Sequence, residues 1–357
     1  AGNGGLVARA TPGHTPEHLS WELQDAAGTP TALVSGGSLL IGGGGRADLL
    51  GRARLAEMAE APGRSMRRLA ELPDEVAVHP THGGGSFCVA GDVDIGGLAT
   101  IGALKRWNPA FAASDLEAFD AELTAGRTLY PTYYRRMAPL NRRGPRQLDG
   151  PLLPQALTTE RFAGARASGA WVLDARERWA FAEGHVQGAW NIEAGDAFAA
   201  YAGWLLPFDA PIVLVVDSPE QEVDVRDELL RIGFDHVLGH LAGGMDAWLA
   251  VGGETSSYAT ASWEELREPG EERVLDVRQP YEWRDGVVPG SERVFVADLP
   301  SAVSRLDPHQ RYLVACRTGV RAAIAASLLD AAGIAARPVV DGGVPALPAA
   351  DLEPVVE

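Results

Sequence analysis

The chain has 357 residues with 46% hydrophobic residues, which is ordinary for a globular protein and gives room for two or three domains. Its formal charge of −17 argues against nucleic acid or an anionic membrane as a partner, and no apolar run approaches a membrane span. Its two distant cysteines form no disulfide framework, and free thiols suit a reducing cytoplasm, which is the expected location. The N-terminal residues lack the charged and apolar regions of a signal peptide.

Two breaks in composition divide the chain into three segments. One is rich in proline, arginine and glycine and covers residues 141–154. The other is rich in glycine and serine and covers residues 252–257. The predicted domains are residues 1–148, 155–253 and 258–357.

The first segment carries a series of short polar motifs in a fixed order. They include His14 in TPGHTPEHLS, SGGSL at 35–39, GRADL at 45–49, HPTHG at 79–83, GSFC at 85–88, NP at 108–109 and YYRRM at 133–137. The series resembles the second half of the metallo-β-lactamase fold of the persulfide dioxygenase type, a partial αββα arrangement. In that family a His-x-His-x-Asp-His motif binds metal, and it would lie upstream of position 1.

The metal site implied by this resemblance is degenerate. Gly37 stands where the family has a metal-binding aspartate, and His14 is the one ligand of the iron site that remains. His82 matches another histidine of the fold. One imidazole does not hold Fe(II), because the facial triad needs three side chains. We therefore expect no iron or zinc here, with His14 packing and hydrogen bonding as a remnant of the site. For Cys88 we expect a small buried residue.

A lone half of this fold poses a physical problem. The fold packs two sheets face to face, so one half alone leaves an apolar sheet face exposed. A truncated chain, a missing upstream piece and a covering partner remain open as explanations.

The last two segments repeat each other. Leu173-Asp174-Ala175-Arg176 aligns with Leu275-Asp276-Val277-Arg278, and Gly184 and Gly188 align with Gly286 and Gly290 at the same offset. Each copy alternates strands with helices, which predicts a parallel sheet covered by helices on both faces. Asp276 and Arg278 are expected to form a buried scaffold ion pair.

The first copy lacks a nucleophile at its strand-to-helix junction. Its apolar run 212–216 leads into DSPEQE at 217–222. We align Asp217 with Cys316 and Glu222 with Arg321. Carboxylates at a helix N-terminus satisfy the dipole and repel an anionic donor. This copy is therefore predicted to be inactive, with a role in spacing, docking or holding the last domain.

In the second copy, an apolar strand ends on Cys316 and a helix pattern begins at Val320. Unpaired N–H groups and the helix dipole favour a thiolate at such a junction. Gly319 lets the loop curl, and Arg317 and Arg321 add positive charge. The pattern predicts a nucleophilic thiolate in an anion-binding cradle.

This loop resembles the active-site loop of the rhodanese sulfurtransferases. The matching motifs are LDVR at 275–278, PYEW at 280–283, GVVPG at 286–290, CRTGVR at 316–321 and DGG at 341–343, with Val287 where the family usually has histidine and Leu347 where tryptophan is common. Four residues separate Cys316 from Arg321, one fewer than in the related phosphatase-type loops. In the rhodanese family a loop of this length binds sulfane sulfur. The resemblance therefore disfavours a phosphatase or an arsenate reductase, whose loops are longer.

The resemblance implies a sulfurtransferase that works through a Cys316 persulfide. The donor would be thiosulfate or a low-molecular-weight persulfide, and the acceptor glutathione or another thiol. Cys316 and Arg321 are the expected catalytic residues, and Arg317, Thr318, Gly319 and Val320 the expected substrate-binding residues. The last domain is expected to need no cofactor. Two alternatives stay open: part of a persulfide dioxygenase–rhodanese fusion in sulfide detoxification, or a non-catalytic persulfide carrier. A homo-oligomer is also left open.

Overall fold

The computed structural model describes residues 3–45, 61–81, 99–108, 111, 131–144, 147 and 150–355. The chain forms two compact units, Ala1–Tyr130 and Pro131–Glu357. Within the described ranges, every helix is too short or too polar to cross a membrane.

The first unit contains short strands and two described helices. The strands are β1 (Gly5–Ala10), β2 (Leu19–Gln24), β3 (Pro30–Gly36), β4 (Leu39–Leu40), β5 (Gly43–Gly44) and β6 (Ala77–Pro80). The helices are α1 (Ala61–Ala70) and α2 (Ile101–Trp107). Strands β1, β2, β3 and β6 form one sheet in that order, with β3 and β6 parallel and the other pairs antiparallel. The core lies on the face that carries Leu33 and contacts α1 and α2.

The opposite face of this sheet is apolar and exposed. In β2 the side chains alternate, so that Ser20 and Glu22 are buried while Leu19, Trp21 and Leu23 are exposed. Trp21 pairs with Val34 of β3, which is also exposed. This pattern inverts the usual arrangement of a half-buried strand, in which the polar side chains face solvent.

The second unit holds both repeats. Its strands are β7 (Ala156–Leu157), β8 (Trp171–Asp174), β9 (His185–Val186), β10 (Trp190–Asn191), β11 (Ile212–Val215), β12 (Val237–Leu241), β13 (Thr255–Ser256), β14 (Arg273–Asp276), β15 (Glu292–Arg293), β16 (Tyr312–Ala315) and β17 (Ala336–Pro338). Its α-helices are α3 (Tyr134–Arg143), α4 (Thr159–Ala167), α5 (Arg178–Glu183), α6 (Phe198–Leu205), α7 (Pro219–Arg231), α8 (Gly244–Ala250), α9 (Leu299–Ala302) and α10 (Val320–Ala331).

Each repeat is built on a parallel sheet. The first has the strand order β10-β8-β11-β12-β7, and the second has β15-β14-β16-β17. The central strands β11 and β16 are buried at every position, as their apolar sequences require. The predicted α/β class with parallel sheets is confirmed.

A shared hydrophobic core joins the two repeats. It contains Phe198 and Leu229 of the first repeat together with Phe295, Tyr312 and Leu329 of the second. Helix α10 is apolar on all sides and almost entirely buried, which explains its run of alanine and leucine.

Helix α3 packs on the first repeat, although the sequence groups it with the segment that ends at 148. The Thr132 hydroxyl donates to the Gly203 carbonyl at 2.8 Å, and Tyr133 packs against the shared core. The Arg136 guanidinium lies 3.7 Å from the centre of the Phe208 ring.

Candidate active site

Cys316 directly follows β16, a central strand of the second repeat's sheet. Helix α10 begins at Val320, and Gly319 is its N-cap with φ of 95°. The carboxyl ends of parallel strands and the N-termini of the following helices meet at one edge of such a sheet, where ligands and anions bind. The strand and the helix therefore place the cysteine as the sequence predicts.

The Cys316 sulfur is held by the backbone of its own loop. Its Sγ atom accepts a hydrogen bond from the Gly319 N–H at 3.1 Å. A donor aimed at sulfur favours the thiolate over the thiol. Cys316 is fully buried, whereas Arg317 and Thr318 beside it are exposed.

Two glycines make this geometry sterically possible. A Cβ atom on Gly319 would lie 2.5 Å from the Val340 carbonyl oxygen, and the positive φ adds strain for any other residue. A Cβ on Gly343 would lie 2.0 Å from the Cys316 carbonyl oxygen. The close approach of these two loops therefore requires glycine at both positions.

Arg321, which the sequence predicts to be catalytic, is bound by a carboxylate of its own domain. It is buried, and its Nη1 and Nη2 atoms donate to the two carboxylate oxygens of Glu282, with Nη2 at 2.8 Å. The guanidinium is thus anchored within the protein, and it supplies fixed positive charge close to the loop. Arg317 remains the exposed cation of the loop.

The Glu282–Arg321 pair is ionised. Burial opposes ionisation of Glu282, but the hydrogen bonds and charge of Arg321 outweigh it, so that the pKa of Glu282 lies below its usual value. Tyr201 of the first repeat interacts electrostatically with both Arg321 and Cys316. Burial raises the pKa of Tyr201 to about 12, so its hydroxyl stays protonated at neutral pH.

The scaffold ion pair predicted for Asp276 and Arg278 is confirmed. Asp276 is fully buried, and the Arg278 Nε and Nη2 atoms donate to its carboxylate at 3.0 and 2.7 Å. Arg278 Nη2 also donates to the Gly286 carbonyl at 2.8 Å. Asp174 and Arg176 form the same pair in the first repeat, with Arg176 Nη2 on Gly184. The pair fixes the turn after the strand in both copies.

The predicted alignment of the first repeat's loop is displaced by one residue. Val215 pairs with Asp174 as Ala315 pairs with Asp276, so Val216, rather than Asp217, occupies the position of Cys316. The helix ends agree, because the Phe234 N–H bonds to Leu229 as the Ile334 N–H bonds to Leu329. By the register of the strands and of the helix C-termini, Gln221, not Glu222, stands at the position of Arg321. Valine provides no nucleophile, so this copy holds no sulfur-transfer group at that position.

Glu222 instead belongs to the packing of the first repeat. It is fully buried and forms an ion pair with Arg226 at 3.0 Å. Its carboxylate also accepts a hydrogen bond from the Gln155 N–H at 3.1 Å.

One contact to the active loop comes from the first repeat and was not predicted. The Arg178 Nη1 atom donates to the Thr318 carbonyl at 3.0 Å. Arg178 stands where the second repeat has Pro280, and its partner Glu193 stands where the second repeat has Phe295. The sequence did offer a sign of this contact. Arg178 and Glu193 are charged residues at two positions where the second repeat has uncharged ones, although the motifs around them match.

The described surroundings of His14 do not fit a metal ion. Both ring nitrogens of the neighbouring His18 are engaged, with Nδ1 2.8 Å from the Thr11 hydroxyl and Nε2 accepting from the Gly37 N–H at 3.1 Å. A Cβ atom on Gly37 would lie 2.4 Å from His14 Cδ2, so the His14 ring occupies the space that a side chain at position 37 would need. Across the described ranges no three histidine, cysteine or acidic residues gather in a metal-binding group. His82 and Cys88 lie outside those ranges.

The fold and the loop define a tandem α/β protein in which the second of two repeats carries a cysteine between a central strand and the following helix. The family model of the rhodanese-like domain matches residues 158–251 and 260–349, which together span more than half of the chain. The chain belongs to the rhodanese-like domain family.

Three relatives illustrate the likeness. "Putative sulfurtransferase YtwF" of Bacillus subtilis (strain 168) is 32% identical over 81 residues, covering 22% of this chain and 79% of that protein. A metallo-beta-lactamase from Staphylococcus aureus subsp. aureus COL is 29% identical, covers 67% of each chain and has a TM-score of 0.56. A rhodanese-like domain protein from Staphylococcus aureus is 28% identical over 26% of this chain and 90% of that chain, with a TM-score of 0.24. The chain thus combines an N-terminal region of metallo-β-lactamase-like fold with two rhodanese-like domains.

Proposed function

We propose that the chain is a sulfurtransferase that carries sulfane sulfur on Cys316. The observation that supports this most directly is the Cys316 sulfur under the Gly319 N–H at the N-terminus of α10, at 3.1 Å. The sulfurtransferase name of the Bacillus subtilis relative supports the same class of reaction. Thiosulfate and low-molecular-weight persulfides are the proposed donors, and glutathione or a similar thiol is the proposed acceptor.

The reaction runs in two displacements. The Cys316 thiolate attacks the outer sulfur of thiosulfate, the sulfur–sulfur bond of the donor breaks, and sulfite leaves with the bonding electron pair. The acceptor thiolate then attacks the outer sulfur of the Cys316 persulfide. The persulfide bond breaks, the acceptor departs as a persulfide, and the Cys316 thiolate is regenerated. Neither step requires a general base once the thiolate is formed.

Charge near the loop assists these steps. Arg317 is the exposed cation beside Cys316, and it is proposed to attract the anionic donor. Arg321 is bound by Glu282. Its positive charge is proposed to stabilise the thiolate and the persulfide anion of Cys316.

The metallo-β-lactamase-like region supports a second proposal about context. Its likeness to the Staphylococcus aureus metallo-beta-lactamase structure supports a metallo-β-lactamase–rhodanese fusion, and from the motifs of the first segment we propose that this fusion is of the persulfide dioxygenase–rhodanese type. Because the described His14 surroundings do not fit a metal, we propose the transferase step alone for this chain. Oxygen uptake by the purified protein on addition of glutathione persulfide would contradict that restriction.

Steady-state kinetics test the proposal and separate an enzyme from a carrier. Initial rates are measured over a range of thiosulfate concentrations at several fixed cyanide concentrations. Double displacement predicts parallel double-reciprocal lines over many turnovers, because the two substrates never meet on the protein. Intersecting lines would contradict the persulfide intermediate. A single stoichiometric transfer without turnover would instead identify a carrier.

A further inference from the structure

Arg178 of the first repeat reaches the active loop of the second. Its Nη1 atom donates to the Thr318 carbonyl oxygen at 3.0 Å, with the Val340 carbonyl oxygen at 3.5 Å. Thr318 lies in the four-residue stretch between Cys316 and Arg321. The inactive repeat therefore contributes a charged side chain to the loop that carries the nucleophile.

The acceptor of this bond and the donor to the sulfur belong to one peptide group. The Thr318 carbonyl and the Gly319 N–H share the same planar amide, which is polarised as a unit. A guanidinium on the carbonyl oxygen draws electron density from the N–H and makes that N–H a stronger donor. The strengthened N–H is the group that lies 3.1 Å from Cys316 Sγ.

Arg178 is oriented for this contact by the carboxylate of Glu193. Its Nε atom donates to Glu193 at 2.8 Å, and its Nη2 atom donates to the other carboxylate oxygen of Glu193. The side chain of Arg178 is 10% exposed, so solvent screens its charge little. A Cβ atom on Gly319 would lie 2.6 Å from Arg178 Nη1, so the glycine also makes room for the guanidinium.

We propose that Arg178 is a positioning residue for the sulfur-transfer reaction. It polarises the Thr318–Gly319 peptide and thereby stabilises the Cys316 thiolate and the persulfide that replaces it. The catalytically silent repeat thus sets the reactivity of the nucleophile in the active repeat. The role of Arg178 in turnover rests on the proposed function. Its effect on the Cys316 thiol does not, because that effect is measured without a sulfur donor.

Other groups also act electrostatically on this thiol. Among the described residues, Tyr201 and Arg321, which is paired with Glu282, interact electrostatically with it. Arg317 follows it in the loop. All four are left intact in the variants below, so a change in reactivity reports on Arg178.

The test is the pH profile of Cys316 alkylation by iodoacetamide, followed by peptide mass spectrometry so that Cys88 is scored separately. Arg178→Gln is expected to move the midpoint of the profile upward by about one pH unit. Arg178→Lys keeps the charge but loses the fork, so we expect a smaller upward shift. The double variant Arg178→Gln, Glu193→Gln removes both charges of the pair and keeps the test available if the single variant does not fold.

Asp330→Asn is the matched control. Asp330 accepts from Ser256 at 2.9 Å and lies 3.1 Å from His185 Nε2, so it joins the repeats near the far end of α10. We expect an unchanged midpoint for this variant. An unchanged midpoint in the folded Arg178 variants, or an equal shift in Asp330→Asn, would overturn the proposal. A shifted midpoint in a protein without sulfur transfer would retain this inference and reject the proposed function.

Discussion

Replacing Cys316 with serine is expected to lower the rate of sulfur transfer from thiosulfate to cyanide by at least about a thousandfold. The persulfide intermediate needs a sulfur atom that is ionised near neutral pH, and a serine hydroxyl does not ionise there. The Gly319 N–H that now lies 3.1 Å from Sγ would then face a neutral hydroxyl. The measurement is the initial rate of thiocyanate formation at saturating thiosulfate.

Two controls make this loss specific. The Cys316→Ser protein should unfold cooperatively near the melting temperature of the unmodified protein, because serine removes little volume from the buried site. Cys88→Ser should retain the full rate, since the proposed chemistry uses one thiol. Full activity in Cys316→Ser, or its loss in Cys88→Ser, would show that the nucleophile has been misassigned.

Replacing Glu282 with glutamine is expected to lower the free energy of unfolding by about 3–5 kcal/mol. The substitution keeps the shape of the side chain and removes the charge that neutralises the buried Arg321 guanidinium. It also disturbs the bond that Glu282 accepts from the Gln279 N–H at 2.9 Å. Urea denaturation followed by tryptophan fluorescence measures the change.

Glu264→Gln is the matched control for this second variant, because Glu264 is an exposed glutamate of the same repeat. Its effect should stay within about 0.5 kcal/mol.

The contribution of Glu282 to stability is expected to depend on pH. Since the pKa of Glu282 is lowered by folding, this stabilisation is complete above its unfolded pKa of about 4.3 and is lost as the pH falls through the folded value. The stability gap between Glu282→Gln and the unmodified protein should therefore close at acid pH. Equal effects of the two variants at neutral pH would refute the role of the ion pair.

The local architecture of the loop could be predicted because it is written in neighbouring residues. An apolar strand, a cysteine, a glycine and an alanine-rich helix follow one another, and the structure has β16 and α10 at those places. The repeat was also visible, because glycines and Asp–Arg pairs recur at a constant spacing. Short-range patterns of this kind fix elements and turns before any tertiary contact is known.

The contacts that span long distances along the chain could not be predicted. Glu282 lies 39 residues before Arg321, and Arg178 lies 140 residues before Thr318. Nothing local in the sequence indicates that the Arg321 guanidinium is bound by a carboxylate. The one-residue error in aligning Val216 with Cys316 has a related cause. The matching glycines on either side of the loop do not show where the alignment of the two repeats shifts. The strand pairing with Asp174 and Asp276 decides it.

The persulfide on Cys316 is tested most directly by the mass of the Cys316 peptide after the protein is incubated with thiosulfate in the absence of an acceptor. We expect a gain of one sulfur atom on Cys316 and its removal when cyanide or glutathione is added. A Cys316 peptide of unchanged mass in a protein that still transfers sulfur would contradict the Cys316 persulfide, because the sulfur would then travel by another route.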